Sequence, residues 1–144
     1  MMQGILSQTD ISASGLSAER LRMEVIGNNI ANANTTRTAE GGPYRRREVV
    51  FSAAMENAMS RGEGTGMRGV EVLGVQSDNG DLPRVYQPGH PDADADGFVL
   101  MPNVSLANEM VDLITANRGY DANLKVLRSF RDMVQQTLTL LRRT

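Results

Sequence analysis

A long apolar ladder in the last third of the chain is the feature that most restricts its possible folds. Apolar residues recur there at alternating spacings of four and three, and only two positions are polar. The ladder comprises Leu106, Met110, Leu113, Asn117, Tyr120, Leu124, Leu127, Arg131, Val134, Leu138 and Leu141. This is a coiled-coil pattern, and it runs further than the stripe of an ordinary surface helix. It predicts one helix from about Val104 to Leu141, with Asn103 or Ser105 as the N-cap.

A second apolar series lies on another face of the same predicted helix. Its members are Val126, Phe130, Met133 and Leu140. Two apolar faces need two partners, so this segment is expected to pack against more than one neighbour. The polar ladder residues Asn117 and Arg131 are interpreted as groups that set the helix register at some cost in stability.

Another long helix is predicted at the opposite end of the chain, from about Ile5 to Asn32. It has two nearly opposite apolar strips, one of Ile5, Leu16, Met23, Ile26 and Ile30 and one of Ile11, Ala18, Leu21 and Val25. We therefore expect it to touch neighbours on two sides. Gly15 and Gly27 each disfavour an isolated helix by about 1 kcal/mol relative to alanine. An asparagine-rich turn beginning at Asn28 is predicted to end the helix.

The middle of the chain has short segments in place of long periodic ones. Asn79-Gly80 is a strong turn signal, so the flanking segments are predicted to form an antiparallel β-hairpin. The predicted elements are a strand at Arg47–Phe51, a helical turn or two at Ser52–Ser60, a flexible stretch at Arg61–Gly69, hairpin strands at Val70–Gln76 and Leu82–Gln87, and an extended segment at Phe98–Met101.

The predicted fold is mainly α with a small β module. Long N- and C-terminal helices are expected to pack as a coiled coil, with a short β-hairpin region between them. The corresponding segments are residues 1–35, 36–102 and 103–144.

The composition argues against several classes of function. With 15 basic and 17 acidic residues and a net charge of -2, the chain has no basic excess for nucleic acid or an anionic membrane. It has no cysteine, which excludes thiolate catalysis, disulfides and zinc thiolate sites. His90 is the only histidine, which excludes a metal cluster built on histidines. The first residues lack the basic and apolar regions of a cleavable signal, and no apolar stretch suits a membrane span. No cofactor or catalytic residue is predicted.

Two short motifs can be interpreted either as ordinary structural segments or as binding sites. Residues 64–69 match G-x-G-x-x-G, but a possible helix precedes them and a strand follows, so a flexible connector is favoured over dinucleotide binding. Asp92, Asp94, Asp96 and Gly97 match the first half of a calcium loop. Because the twelfth position is Asn103, a solvated acidic turn is favoured, and calcium binding is the alternative.

The basic run of residues 45–47 also has two interpretations. It is either a solvated surface or a charge contact with acidic neighbours such as Asp92, Asp94 and Asp96. The sequence does not separate pairing within one chain from pairing between chains.

Several segments resemble those of a known family. Ser14-Gly-Leu-Ser-Ala-Glu-Arg-Leu, followed by Val25-Ile-Gly-Asn-Asn-Ile-Ala-Asn-Ala-Asn-Thr35, resembles the N-terminal signature of the bacterial flagellar rod and hook proteins. Residues 42–51, 90–98 and 101–114 narrow the resemblance to the proximal-rod members, and it covers nearly the whole chain. Gly119 departs from the family, which often has a bulkier helix former there, and this predicts a locally less stiff helix.

The resemblance implies a non-enzymatic subunit of the flagellar rod, which transmits torque from the motor ring to the distal rod and hook. It implies export by the flagellar type III system without a cleaved signal, and assembly in the periplasm. The implied partners are other copies of the chain, the rod proteins FlgB, FlgF and FlgG, the rod-base adaptor FliE and the MS ring. The implied inner tube layer contains Leu16, Leu21, Val25, Ile26 and Ile30, together with the apolar ladder. The second series is expected to add a further contact face to the same helix. A generic coiled-coil adaptor or a phage-tail-like tube protein is the competing structural interpretation.

Overall fold

Two long helices account for about half of the structure. The computed structural model describes residues 2–55 and 67–141, with side chains from 9–53 and 69–140. Helix α1 spans Met2–Ala31 and helix α2 spans Leu106–Leu141, so both predicted helices are confirmed. The Ser105 carbonyl accepts a hydrogen bond from the Glu109 N–H at 2.9 Å, which places Ser105 at the N-cap of α2. Neither helix, over its described residues, is long and apolar enough to cross a membrane.

Four strands form two small sheets between the helices. Strand β1 (Arg47–Met55) pairs with β2 (Met67–Ser77). Strand β3 (Arg84–Tyr86) pairs antiparallel with β4 (Phe98–Leu100), with Val85 opposite Val99. These strands confirm two predictions, the strand that begins at Arg47 and the extended segment that begins at Phe98. The predicted mainly α fold with a β module is also confirmed.

The predicted hairpin around Asn79-Gly80 is wrong. Its two segments belong to β2 and β3, which pair with different partners. Neither Asn79 nor Gly80 has the positive φ that a type I′ turn requires. Instead, the Asp78 carboxylate accepts the Gly80 N–H at 2.8 Å, and the Asp78 N–H donates to the Arg46 carbonyl at 2.8 Å. The turn is therefore anchored to the residues that precede β1.

The predicted helical turn at Ser52–Ser60 is wrong for residues 52–55, which lie in β1. β-Branched and aromatic residues at 49–51 favour an extended strand that continues through them. Residues 56–60, and residues 61–66 of the predicted flexible stretch and of the glycine motif, lie outside the described residues.

The chain divides into two compact units, and each helix contributes one part to each unit. The first unit comprises Met1–Leu21, Phe51–Leu73 and Ala116–Thr144. The second unit comprises Arg22–Val50 and Gly74–Thr115. The three-segment division made from the sequence follows the element order and stays a prediction.

Within the first unit, α1 and α2 run antiparallel and approach closely. A β-carbon placed on Gly15 would lie 2.9 Å from the Asn123 side-chain nitrogen, and one on Gly119 would lie 3.1 Å from a Glu19 carboxylate oxygen. The neighbouring Ala116 is fully buried. Gly119 therefore provides room for the facing helix.

Strand β2 contacts α1 in the first unit at a third glycine. Gly69 has a φ of +113°, and a β-carbon there would collide with the Ser14 side chain. The Ser14 hydroxyl accepts the Val70 N–H at 3.1 Å and donates to the Ile11 carbonyl at 2.8 Å. A glycine is needed here because of both its backbone conformation and the space available.

Candidate assembly site

Asn29 is the centre of a buried polar cluster in the second unit. Its side chain is fully buried. The amide nitrogen donates to the Arg47 carbonyl at 2.8 Å and to Glu109 Oε2 at 2.9 Å. The amide oxygen accepts the Arg47 N–H and the Tyr44 hydroxyl, each at 2.9 Å. The side chain thus uses both donors and both acceptor sites, as a buried amide must to avoid a desolvation penalty.

Glu109 extends this cluster into the first turn of α2. Its side chain is fully buried, and Oε1 accepts a 2.6 Å hydrogen bond from Arg46 Nε. The hydrogen bond to Glu109 raises the pKa of the Arg46 guanidinium above its ordinary value, against an opposing effect of burial. Glu109 is therefore a buried carboxylate with a cation and an amide as its partners, which is the arrangement that makes such a burial tolerable.

The Arg46 guanidinium also reaches the surface of the second unit. It lies 3.3 Å from a Glu48 oxygen and 3.5 Å from an Asp112 oxygen. Asp112 in turn lies 4.0 Å from the Arg22 guanidinium of α1. These outer pairs are partly exposed and contribute less than the buried pair with Glu109.

The cluster joins the end of α1, the start of β1 and the start of α2. Burial raises the pKa of the Tyr44 hydroxyl, Arg47 lowers it and Glu109 raises it, so this group stays protonated as a hydrogen-bond donor at neutral pH. Each polar group that carries the cluster has a protein partner. We interpret the cluster as a structural junction that holds the three elements together.

The sequence left two interpretations of the basic run open, a solvated surface and a contact with the acidic loop, and the ion pairs of Arg46 favour neither in that form. Arg46 pairs with Glu109, Glu48 and Asp112, as described above. In the acidic loop, Asp92 accepts from the Thr36 hydroxyl at 2.8 Å and lies 3.5 Å from Arg37. Asp94 pairs with Arg84 at 2.6 Å. Within this chain, Arg46, Asp92 and Asp94 thus each have charged partners, and they do not pair with one another.

The calcium alternative is not supported by the directions of these carboxylates. Asp94 Oδ1 accepts the backbone N–H groups of Asp96 and Phe98 at 3.0 and 2.8 Å. The Phe98 N–H contributes most to lowering the pKa of Asp94, and Arg84 adds to it. Across residues 2–55 and 67–141, no group of three acidic or histidine side chains is placed to hold a metal ion. The loop is a turn that Asp94 stabilises by accepting hydrogen bonds from the loop backbone.

The predicted interface residues differ widely in burial. Val25 and Ile26 are buried, whereas seven of the α2 residues are exposed. The half-buried members are Leu16, Leu21, Ile30, Leu113, Tyr120, Leu124, Leu127 and Phe130. The exposed members are Leu106, Met110, Val126, Met133, Val134, Leu138 and Leu140, and the side chain of Leu141 lies outside the described residues.

The most buried side chains of α2 do not belong to the apolar ladder. They are Glu109 and Ala116, and Asn123 lies one heptad further along the same stripe. Each of these residues precedes a ladder residue by one position, so this stripe is rotated by about 100° from the ladder. The contacts within the chain thus use small and polar side chains, and much of the ladder stays uncovered.

Exposed apolar side chains are concentrated on α2 in both units. In the second unit, Val111 is 63% exposed and lies near Met110 and Ile114. In the first unit, all ten residues from 131 to 140 are exposed, including Leu140 at 68%. Large uncovered apolar faces of this kind mark protein interaction surfaces.

Sequence reasoning missed Asn29 and Glu109. The asparagine-rich run by itself indicates only the end of a helix, and neither predicted α2 series contains Glu109. A signal was present for Asn29, which follows Val25 of the second α1 strip by four residues. Glu109 lies on the stripe of Ala116, whose burial is seen only in the structure. Polar residues that continue a buried helical stripe must find partners, and this pattern identifies candidates for a buried network.

A long helix with an uncovered apolar surface, packed on a second long helix and accompanied by a small β module, is typical of a structural subunit of a larger assembly. Residues 10–37 match the family described as flagella basal body rod protein. Residues 95–140 match the family described as flagellar basal body rod FlgEFG protein C-terminal.

Full-length relatives narrow the class further. The chain is 41% identical to the flagellar basal-body rod protein FlgC of Borreliella burgdorferi, over 96% of this chain and 98% of the relative. It is 39% identical to FlgC of Agrobacterium fabrum over 98% of each chain, and 40% identical to FlgC of Salmonella typhimurium over 94% of this chain and 97% of the relative. The chain therefore belongs to the FlgC family of flagellar basal-body rod proteins.

Proposed function

We propose that this chain is a structural subunit of the proximal rod of the bacterial flagellar basal body. In this role it assembles helically with other rod proteins and transmits torque from the motor ring to the distal rod and hook. The relatives are named for a structural part of the flagellum, and we propose that the chain has no enzymatic activity.

The observation that carries this proposal is the uncovered apolar surface of α2. Ten consecutive residues, 131–140, are exposed, and they include Met133, Val134, Leu138 and Leu140. Leaving such side chains in water forgoes about 1.5–3 kcal/mol each relative to full burial. Packing against neighbouring subunits would recover much of this free energy. Contacts between non-equivalent surfaces that do not close into a ring would generate a helical tube.

We further propose that the terminal segments, residues 1–35 and 103–144, form a coiled-coil inner layer, and that residues 36–102 form an outer module. The exposed ladder and second-series residues of α2 are the proposed intermolecular contacts. The buried residues Val25 and Ile26 are proposed to support this layer from within the subunit.

The proposed partners are other copies of the chain and other rod components. At a finer level, we propose FlgB, FlgF, FlgG, the adaptor FliE and the MS ring as neighbours. We also propose export through the flagellar type III apparatus without a cleaved signal, followed by assembly in the periplasm.

Genetic complementation tests the proposal. The chain would be expressed in a flagellated bacterium whose own FlgC has been deleted and which no longer swims, and swimming and isolated basal bodies would be examined. We expect restored rods and swimming, and Leu138→Asp should abolish both because it places a charge on the proposed contact surface.

Gln136→Asp is the matched control, since it adds the same charge at another exposed position of α2. It should retain swimming. Rods completed at a normal level by Leu138→Asp would contradict the proposed contact surface. Failure of the unchanged chain to enter rods, although it is made and exported, would contradict the proposed function.

A further inference from the structure

The helix pair of the first unit contains a reciprocal arrangement of glycine and polar side chains. On α1, Gly15 is followed four residues later by Glu19, and on α2, Gly119 is followed four residues later by Asn123. Because the helices are antiparallel, the glycine of each lies against the polar side chain of the other. We infer that these four residues, the register lock, determine the alignment of α1 against α2.

The contacts are close in both halves of the register lock. A β-carbon on Gly15 would lie 2.9 Å from Asn123 Nδ2, and one on Gly119 would lie 3.1 Å from Glu19 Oε1 and 3.3 Å from its carboxylate carbon. All four residues are half-buried. Each polar side chain therefore occupies the space that a β-carbon would need on the facing helix.

Shifted alignments lose this complementarity. A slide of one turn, about 6 Å, in one direction would place Gly15 opposite Gly119 and leave a gap. A slide in the other direction would place Glu19 opposite Asn123, so that two long side chains compete for one space, and Leu127 opposite Gly15. Among these three alignments, only the observed one seats both polar side chains over glycines.

The apolar ladder cannot make this distinction by itself. Its residues repeat every heptad, so a slide of seven residues again brings apolar side chains together. Non-repeating polar positions are a well-attested means of setting helix register. This matters in an assembly of similar helices, where α1 could otherwise pair with α2 in several alignments.

An exchange of residues between the helices tests the register lock. Gly15→Asn alone should weaken the pair because two asparagines then compete for one space. Combining it with Asn123→Gly restores the complementarity with the roles of the helices reversed. We expect the double variant to recover at least half of the shift in the urea unfolding midpoint. The matched control is Gly27→Asn, an exposed α1 glycine with nothing within 4 Å, which should not lower the midpoint.

Disulfide trapping measures the alignment directly, since the chain has no cysteine. In the first cysteine pair, Ile11→Cys and Leu127→Cys, the two positions face each other one turn beyond the register lock in the observed alignment. In the second pair, Ile11→Cys and Arg131→Cys, the two positions would face each other only if the helices were shifted by one turn. In the otherwise unchanged full-length chain, we expect the first pair to be trapped about tenfold more than the second. Adding Gly15→Asn should reduce this ratio to about twofold or less.

A second variant covers the case in which Gly15→Asn does not fold. Asn123→Ala leaves a gap without any collision, and it should lower the trapping ratio while the chain remains helical. Equal trapping of the two cysteine pairs in the otherwise unchanged chain would overturn the inference. So would a double exchange variant that unfolds no later than Gly15→Asn, or an unchanged ratio with Asn123→Ala.

Discussion

Replacing Glu109 with alanine should destabilise the second unit by about 3 kcal/mol. The carboxylate is fully buried and accepts hydrogen bonds from Asn29 at 2.9 Å and from Arg46 at 2.6 Å. The substitution leaves one buried amide donor and one guanidinium without their main acceptor. The cost comes mostly from these two stranded groups, since alanine itself suits a helix.

The magnitude follows from how far each stranded group can be compensated. Removing one partner of a buried ion pair costs about 3–5 kcal/mol. Arg46 is 25% exposed and keeps Glu48 and Asp112 as neighbours, which favours the lower end of that range. Asn29 still donates to the Arg47 carbonyl but remains fully buried. For a chain of this length, about 3 kcal/mol corresponds to roughly 6–12 °C in Tm.

Thermal and urea unfolding followed by circular dichroism provide the assay. Asp121→Ala, at an exposed position of the same helix, is the control and should change stability by less than about 0.5 kcal/mol. Glu109→Gln keeps the shape and one acceptor oxygen, so it should cost about 2 kcal/mol. If Glu109→Ala unfolds at the same temperature as Asp121→Ala, the buried cluster does not stabilise the junction and the reasoning is refuted.

Further substitutions test the same cluster and two other parts of the structure. Tyr44→Phe removes the hydroxyl that donates to the central asparagine of the cluster, and should cost about 1 kcal/mol in urea unfolding. Gly69→Ala should lower the free energy of unfolding by about 3 kcal/mol, because it adds positive-φ strain and a collision with α1. Gly41→Ala is the control, since Gly41 also has a positive φ but no atom lies near its β-carbon position. An equally large loss of stability in Gly41→Ala would show that strain alone explains the effect at Gly69. The pKa of Asp94 is lowered chiefly by the Phe98 N–H, so its stabilising hydrogen bonds are present at neutral pH and lost only as the pH falls below about 4. An NMR titration of the Phe98 amide should show this transition below the ordinary aspartate value, and Asp94→Asn should abolish it.

Both long helices could be predicted from the sequence because helical periodicity is a local property. The side chains that define each stripe are three or four residues apart, and the N-cap at Ser105 depends only on its own turn. The short strands before and after the acidic loop were also accessible from local composition. Strand pairing could not be predicted in the same way. Asn79-Gly80 has the sequence of a hairpin turn, but the preceding Asp78 N–H donates to the Arg46 carbonyl, which is distant in sequence.

The candidate site was only partly predictable. Apolar ladder residues such as Met110 and Leu138 were identified from spacing, and the structure leaves them exposed, as an intermolecular role requires. The contact between Asn29 and Glu109 joins residues 80 positions apart, and no local pattern specifies that pair. Only the folded chain shows that both groups have partners.

The sequence by itself determined the two amphipathic helices, the small β module and the motifs that mark the rod family, because each of these depends on residues that are close together in the chain. The tertiary structure decided which face of α2 packs within the chain. That choice depends on the distance between the helix axes. Gly15 and Gly119 let the helices come so close that glycine, alanine and the side chains of Glu19 and Asn123 fill the seam, and half of the described apolar ladder residues are left exposed.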